Sequence, residues 1–257
     1  MIFLGTGASE GIPCCFCSCE YCNHARLLKE KNIRTRSSFM IDKSNLIDFS
    51  PDVFKQCLDN ELNLSDLKNI FFTHTHDDHL DISELITITS ATPALPNQVN
   101  LYFSKAGAQM FDSVVKHYIT NYGEYTKRYF DNYRVIVLEP FQSYEIDGLT
   151  VTPIISSHSS YGKDEKGFNY FIKNKEGISF LYACDTGWYS EETWDFLKNQ
   201  QVDKLIIECT YGMDHEILKP FAQDHLDYKN MISMIEKFET IGLITLETPV
   251  YVTHISH

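Results

Sequence analysis

The chain is 257 residues long, and its 22 Lys and Arg set against 35 Asp and Glu leave a formal charge of −13. A content of 43% hydrophobic and 22% charged residues is that of a globular domain, which excludes disordered and collagen-like classes. No apolar run reaches the ~18 residues of a membrane span, and an acidic chain lacks the clustered Lys and Arg that broad nucleic-acid binding requires, although a local phosphate site built on metal ions stays open.

Ile2–Leu4 reads as a strand running into the turn Gly5-Thr-Gly7. This opening has no basic n-region, so no secretion signal is expected. Five of the eight cysteines (Cys14, Cys15, Cys17, Cys19 and Cys22) then fall within nine residues. Neighbouring thiols rarely meet disulfide geometry, and a chain without a secretion signal keeps its thiols reduced, so the cluster reads as a cytoplasmic metal clip. Cys57, Cys184 and Cys209 read as small core residues.

Ser38–Ile41 and Asn45–Phe49 are short strands around a polar turn, and Asp52–Leu62 is a helix behind Pro51. Asn69–Thr73 is a buried strand that delivers the chain into His74-Thr-His-Asp-Asp-His79. A helix over Ile82–Thr89 is ended by Pro93 and Pro96, followed by a strand at Val99–Phe103 and a helix at Lys105–Ile119. Residues 121–133 are polar and tyrosine-rich and fit no period. Strands return at Arg134–Leu138, Thr150–Ser156, Phe168–Lys173, Ile178–Cys184 and Lys204–Cys209. Helices are expected at Glu191–Asn199 and Asp227–Thr240, the second with Met231, Ile235, Phe238 and Ile241 on one stripe, before a last strand at Val250–Thr253. No repeat or linker invites a cut, so one domain over residues 1–257 is expected. The alternation predicts two sheets with helices outside, α/β or α+β.

His74, His76, Asp78 and His79 put four potential metal ligands into six residues. His74 and His76, two apart at a strand end, project to one side, and Asp78 and His79 follow after the chain turns. Imidazole and carboxylate suit zinc, iron or manganese in open catalytic sites. Further candidates sit at the ends of other strands: His158, Asp185 and His254. In the cysteine cluster, Cys17, Cys19 and Cys22 supply three thiolates, and a tetrahedral structural zinc needs a fourth ligand.

His-x-His-x-Asp-His followed by His158, Asp185 and His254 resembles the motif series of the metallo-β-lactamase superfamily. The resemblance implies a four-layer αβ/βα sandwich with a two-metal site. His74, His76 and His158 would hold one ion, Asp78, His79 and His254 the other, and Asp185 would bridge them. Metal charge would then offset the burial of that carboxylate. Within the superfamily the chain is similar to the phosphoribosyl 1,2-cyclic phosphate phosphodiesterases of the carbon–phosphorus lyase pathway, which share Gly-Thr-Gly, a Cys-x-Cys-x-x-Cys knuckle (here within residues 14–24) and the ending Thr-His-Ile-Ser-His, as in Thr253–His257. In that pattern His257 completes the structural zinc with Cys17, Cys19 and Cys22; His24, Cys14 and Cys15 are its rivals. The resemblance places His225, in Asp224-His-Leu-Asp227, beside the substrate, to bind phosphate or protonate the leaving alkoxide. His215 is a further substrate candidate, and Asp48 would support the metal histidines without ligating. His24 and His117 otherwise read as structural or exposed.

The implied activity is metal-dependent hydrolysis of a small cyclic phosphate ester by hydroxide that two divalent ions (zinc, manganese or iron) generate from water, with His225 and Asp78 as catalytic groups. A small phosphorylated substrate is expected, with no extended nucleic-acid surface and no membrane, and residues 121–133 are a candidate homodimer contact. The alternatives are a cyclic-nucleotide or tRNA 3′-processing phosphodiesterase, a lactonase, or a non-catalytic zinc-stabilised binding module. No basic exosite arm of the tRNA enzymes is visible in the sequence.

Overall fold

Short apolar segments between turn residues pair into two six-stranded sheets. The computed structural model describes residues 1–92, 95–160, 164–213 and 219–257. Contacts divide the chain into two units: residues 1–9, 35–138 and 160–165, and residues 10–34, 139–159 and 166–257.

In the first unit the sheet runs β1 (Ile2–Gly5), β2 (Ser38–Asp42), β3 (Asn45–Ile47), β4 (Asn69–Phe71), β5 (Val99–Phe103) and β6 (Tyr133–Val137) in spatial order. The first three are antiparallel neighbours, and β3 to β6 are parallel. Parallel neighbours need crossovers, and these are helices: α2 (Val53–Asp59), α3 (Ile82–Ala91) and α4 (Lys105–Tyr122). An amide ladder sets the register of the parallel strands. The Asn69 side chain donates to Asn45 Oδ1 at 2.8 Å and the Asn100 side chain to Asn69 Oδ1 at 2.9 Å, at positions directly paired in the sheet. With their starts aligned, the strands deliver the residues that follow them to one edge, where ligands gather in sheets of this kind. Asp81 caps α3 through Glu84 N–H, and Ser104 caps α4 through Gly107 N–H. Leu46, Ile70, Leu101, Phe72 and Phe103 form the centre of this unit's core.

The second unit has the order β12 (Val250–Thr253), β11 (Lys204–Glu208), β10 (Ser179–Ala183), β9 (Phe168–Lys173), β8 (Leu149–Ile155) and β7 (Tyr144–Ile146). β7 to β10 are antiparallel, and β10 to β12 are parallel through α5 (Glu191–Leu197) and α6 (Tyr228–Thr240). On α6, Met231 and Phe238 of the expected stripe are buried, with Ile235 and Ile241 half-buried against the same core around Trp194, Leu205 and Ile207.

Three differences from the sequence reading have physical causes. A helix absent from that reading, α1 (Glu20–Leu28), begins inside the cysteine cluster with the Cys19 sulfur as its cap, and it buries only Cys22 and Ala25, too few for an apolar stripe. The tyrosine-rich stretch, which fits no period in the sequence, combines several elements. α4 runs to Tyr122, a 3-10 turn covers Glu124–Tyr129, and Phe130 enters the core against Phe111 and Tyr118. The three-residue strand β7 also went unread. Of the prolines expected to end α3, Pro93 lies outside the described residues. Among those described, no helix is long and apolar enough to cross a membrane.

Candidate metal centres

In the first unit β4 feeds Thr73 into the histidine cluster, and β3 ends one residue before Asp48. Asp48 is fully buried. Its Oδ1 accepts from Thr73 N–H at 2.8 Å, and Oδ2 lies 2.7 Å from His79 Nδ1. Burial raises the Asp48 carboxyl above the usual range, while the charge and hydrogen bond of His79 and two hydrogen bonds from Thr73 act the other way. An acceptor at Nδ1 fixes the His79 tautomer and leaves Nε2 as the lone-pair donor. That Nε2 lies 3.1 Å from Asp78 Oδ2, so an imidazole and a carboxylate converge. His74 Nε2 and His76 Nδ1 face one another at 2.9 Å. Only one proton can lie between two such nitrogens, and a cation accepting from both satisfies them equally well. His74, Asp78 and His79 are buried and His76 partly so.

In the second unit Asp185 follows β10, His254 follows β12, and His158 lies beyond β8. Asp185 turns Oδ1 to His254 Nε2 at 2.8 Å and Oδ2 to His158 Nε2 at 3.8 Å. One oxygen toward each histidine is how a carboxylate shared by two cations is presented. The opposite ring nitrogens are engaged: His158 Nδ1 lies 3.0 Å from the Asp224 carbonyl, and His254 Nδ1 lies 2.9 Å from Thr210 Oγ1. Each Nε2 is thereby left toward Asp185. A donor set of imidazoles and carboxylates, buried and with partners behind the rings, fits divalent cations of the zinc, manganese and iron group. Asp48, Asp185 and His254 all have positive φ, at 60°, 51° and 52°. Non-glycine residues held in this left-handed region concentrate at functional sites and cost on the order of 1 kcal/mol each.

His225 stands beside this group, its ring stacked on His254 at 5.5 Å and tilted against His158 at 4.5 Å. Its partner is Glu208, which the sequence reading passed over. Fully buried at the end of β11, Glu208 accepts from Thr186 N–H at 2.8 Å and Leu226 N–H at 3.0 Å, and its Oε1 lies 3.0 Å from His225 Nδ1. Burial alone lowers the His225 pKa, but the hydrogen bond and charge of Glu208, joined by Asp185, outweigh it and the net shift is upward. The signal was present: a lone carboxylate ending the apolar run Leu205–Ile207, as at Asp185. His215 lies outside the described residues, and His117 is exposed on α4.

The segment carrying His225 is held close by Gly187. A Cβ there meets the Ala222 carbonyl oxygen at 2.3 Å and the Gln223 backbone at 2.6 Å. Gly187→Ala should push residues 222–225 away, lowering kcat more than metal content. Steady-state kinetics alongside metal analysis separate the two.

The cysteine cluster forms a second candidate centre. Cys17, Cys19, Cys22 and His257 place one donor atom each within 4.8 Å of one another. Cys17 Sγ accepts from Cys19 N–H and Cys19 Sγ from Cys22 N–H, both at 3.4 Å. The Cys22 N–H contact holds the Cys19 thiol below its ordinary value, whereas burial pushes Cys22 up to about 11. Glu10, also unread in the sequence, orients the histidine: its Oε1 lies 3.1 Å from His257 Nδ1 and accepts from Ser256 Oγ. The three-thiolate, one-imidazole set fits tetrahedral zinc. If zinc is held here, a strong chelator should remove it and strip amide protection from α1 and the last residues together. Hydrogen exchange showing loss at only one end would refute the pairing of 17–22 with 257.

The sequence profile described as the beta-lactamase superfamily domain matches residues 45–255. The chain belongs to that superfamily. No curated protein matches it. Among solved structures, a diphosphatase from the PhnP family is 20% identical with a TM-score of 0.71, over 99% of this chain and 85% of that one. The Zn(2+)-bound PqqB from Methylobacterium extorquens is 19% identical with a TM-score of 0.60, over 81% of this chain and 70% of that one. The short form of human tRNase Z is 18% identical with a TM-score of 0.65, covering 99% of this chain and 92% of that one. At these identities the likeness concerns the fold. Superfamily membership and the buried His/Asp clusters together make the chain a metal-dependent hydrolase of the metallo-β-lactamase fold.

Proposed function

We propose that the chain is a phosphoric diester hydrolase acting on a small cyclic phosphate ester, a phosphoribosyl 1,2-cyclic phosphate or a close analogue. The observation that carries this reading is the second unit's pairing of a two-faced carboxylate, Asp185, with an adjacent histidine held by a buried glutamate. A site for cleaving a poor leaving group needs both a place for cations and a proton donor. His74, His76 and His158 would hold one ion and Asp78, His79 and His254 the other, with Asp185 shared, an assignment resting on family membership and on the donor chemistry of each unit. Bound divalent cations supply Lewis acidity toward a phosphoryl oxygen and lower the pKa of water.

The protein's own groups manage the protons. Asp78 accepts one as water becomes the nucleophile. Glu208 holds His225 by Nδ1 and favours its imidazolium form, in which Nε2 would carry a proton for the departing sugar oxygen. Water oxygen joins phosphorus, the ring P–O bond breaks, and a phosphomonoester with a free hydroxyl remains.

The test is a substrate panel on metal-reconstituted protein: a ribosyl 1,2-cyclic phosphate, a 2′,3′-cyclic nucleotide, a bis-aryl phosphate, precursor tRNA and a lactone. The ribosyl cyclic phosphate should be preferred, and preference for the lactone would overturn the reading. Because the PhnP-family neighbour is named a diphosphatase, a diphosphate ester is included as the second substrate class. A chain that holds one zinc and no further metal after reconstitution would instead be a binding module.

A further inference from the structure

The knuckle uses three cysteines and leaves two beside it. We propose that Cys14 is the reactive thiol of a peroxide-sensitive switch, forming a disulfide with Cys17 that takes a sulfur ligand away from the knuckle. This goes beyond the hydrolase reading and does not depend on it.

Cys14-Cys-Phe-Cys17 forms a four-residue turn closed by Cys17 N–H to the Cys14 carbonyl at 3.2 Å. The end residues of such a turn have Cα atoms less than about 7 Å apart, overlapping the ~4.4–6.8 Å that a disulfide spans. Cys14 and Cys17 are partly exposed residues, and the central residues Cys15 and Phe16 are exposed, so a small oxidant reaches the turn. Cys22, by contrast, is buried. The turn is anchored independently of its sulfurs: Arg26 donates to the Cys14 carbonyl at 2.5 Å, and Cys14 N–H approaches the Cys22 sulfur. Cys14 therefore sits against the knuckle through its backbone, while its side chain is outside the set of four donors.

The chemistry balances with hydrogen peroxide as oxidant. The Cys14 thiolate attacks peroxide, giving a sulfenic acid and releasing hydroxide. The Cys17 thiolate then attacks that sulfur, the S–S bond forms and a second hydroxide leaves. Two thiolates have lost two electrons, and one peroxide has become two hydroxides. Three of the four knuckle donors remain, one short of a closed tetrahedral site. A dithiol reductant returns both thiols.

The consequence would reach the catalytic side by a short route. Ser256 N–H donates to the Thr210 carbonyl at 3.0 Å, and Thr210 Oγ1 lies against His254 Nδ1. Loosening the hold on His257 loosens the segment that carries His254.

The test treats the zinc-loaded full chain with hydrogen peroxide, follows zinc release with a chromophoric chelator, and maps disulfides by peptide mass spectrometry. The expected product has lost two hydrogens, gives no backbone fragments between residues 14 and 17, and regains zinc after dithiothreitol. Cys14→Ser keeps both backbone contacts and should slow zinc release about tenfold, whereas Cys15→Ser should not. A bond through Cys15 or between Cys17 and Cys19, or equal release from Cys14→Ser and the unmodified chain, overturns the proposal. Mapping on the unmodified chain decides the matter without either variant.

Discussion

Asp185→Ala, reconstituted with excess zinc or manganese, should turn over the cyclic phosphate on the order of 10³-fold more slowly and hold fewer than two active-site ions. The substitution removes oxygens from two histidines at once, at 2.8 Å from His254 Nε2 and 3.8 Å from His158 Nε2. The side chain is also only 3% exposed, so the metal-free variant is compared with the metal-free parent to separate lost ligation from lost packing. Loss of activity and metal without loss of metal-free stability marks a ligand; loss of all three marks a structural carboxylate. Asp78→Ala is the companion, removing a donor from one ion, and near-normal turnover there would sink the site assignment.

Glu208→Gln is the second substitution with a large expected effect, although it looks conservative. Glu208 is an acceptor on both oxygens, taking Thr186 N–H and His225 on one and Leu226 N–H and Thr210 on the other. An amide turns N–H groups toward a donor, so about 3 kcal/mol of stability should be lost. The effect on His225 has a definite sign. Glu208 raises the His225 pKa against its burial, and a neutral amide leaves burial in command, so His225 loses its proton at lower pH than before. An acid catalyst is active below its pKa, so the alkaline limb of the pH–rate profile should move to lower pH. Turnover of a poor leaving group should fall about 10²-fold or more, and of a bis-aryl phosphate far less, because an aryl oxide needs no proton to leave. Equal losses on both substrates would reduce Glu208 to a structural role.

The legible parts of this protein were those where one residue type repeats at a spacing that only one chemistry uses. The run from β4 into His79 and the thiolates of Cys17, Cys19 and Cys22 are of that kind, and the sheet strands followed from apolar runs bounded by turns. What escaped was held by contacts between residues distant in sequence. Glu208 and His225 are seventeen positions apart, and Glu10 and His257 are at opposite ends of the chain. α1 escaped because its cap is a sulfur and its buried side is two small residues. The stretch 121–133 showed no period because a helix end, a 3-10 turn and a strand start share it.

The left-handed backbone at Asp48, Asp185 and His254 has a consequence for anyone selecting this protein for heat resistance. At each of these positions glycine relieves the backbone, although at Asp48 it also forfeits the contacts to Thr73 and His79. A screen that rewards survival alone gives no weight to keeping these side chains, so an exchange that relieves the backbone can pass it with the centre lost. Selection at high temperature has to be run with turnover, or with bound metal, as part of the score. Otherwise durable descendants can be inert ones.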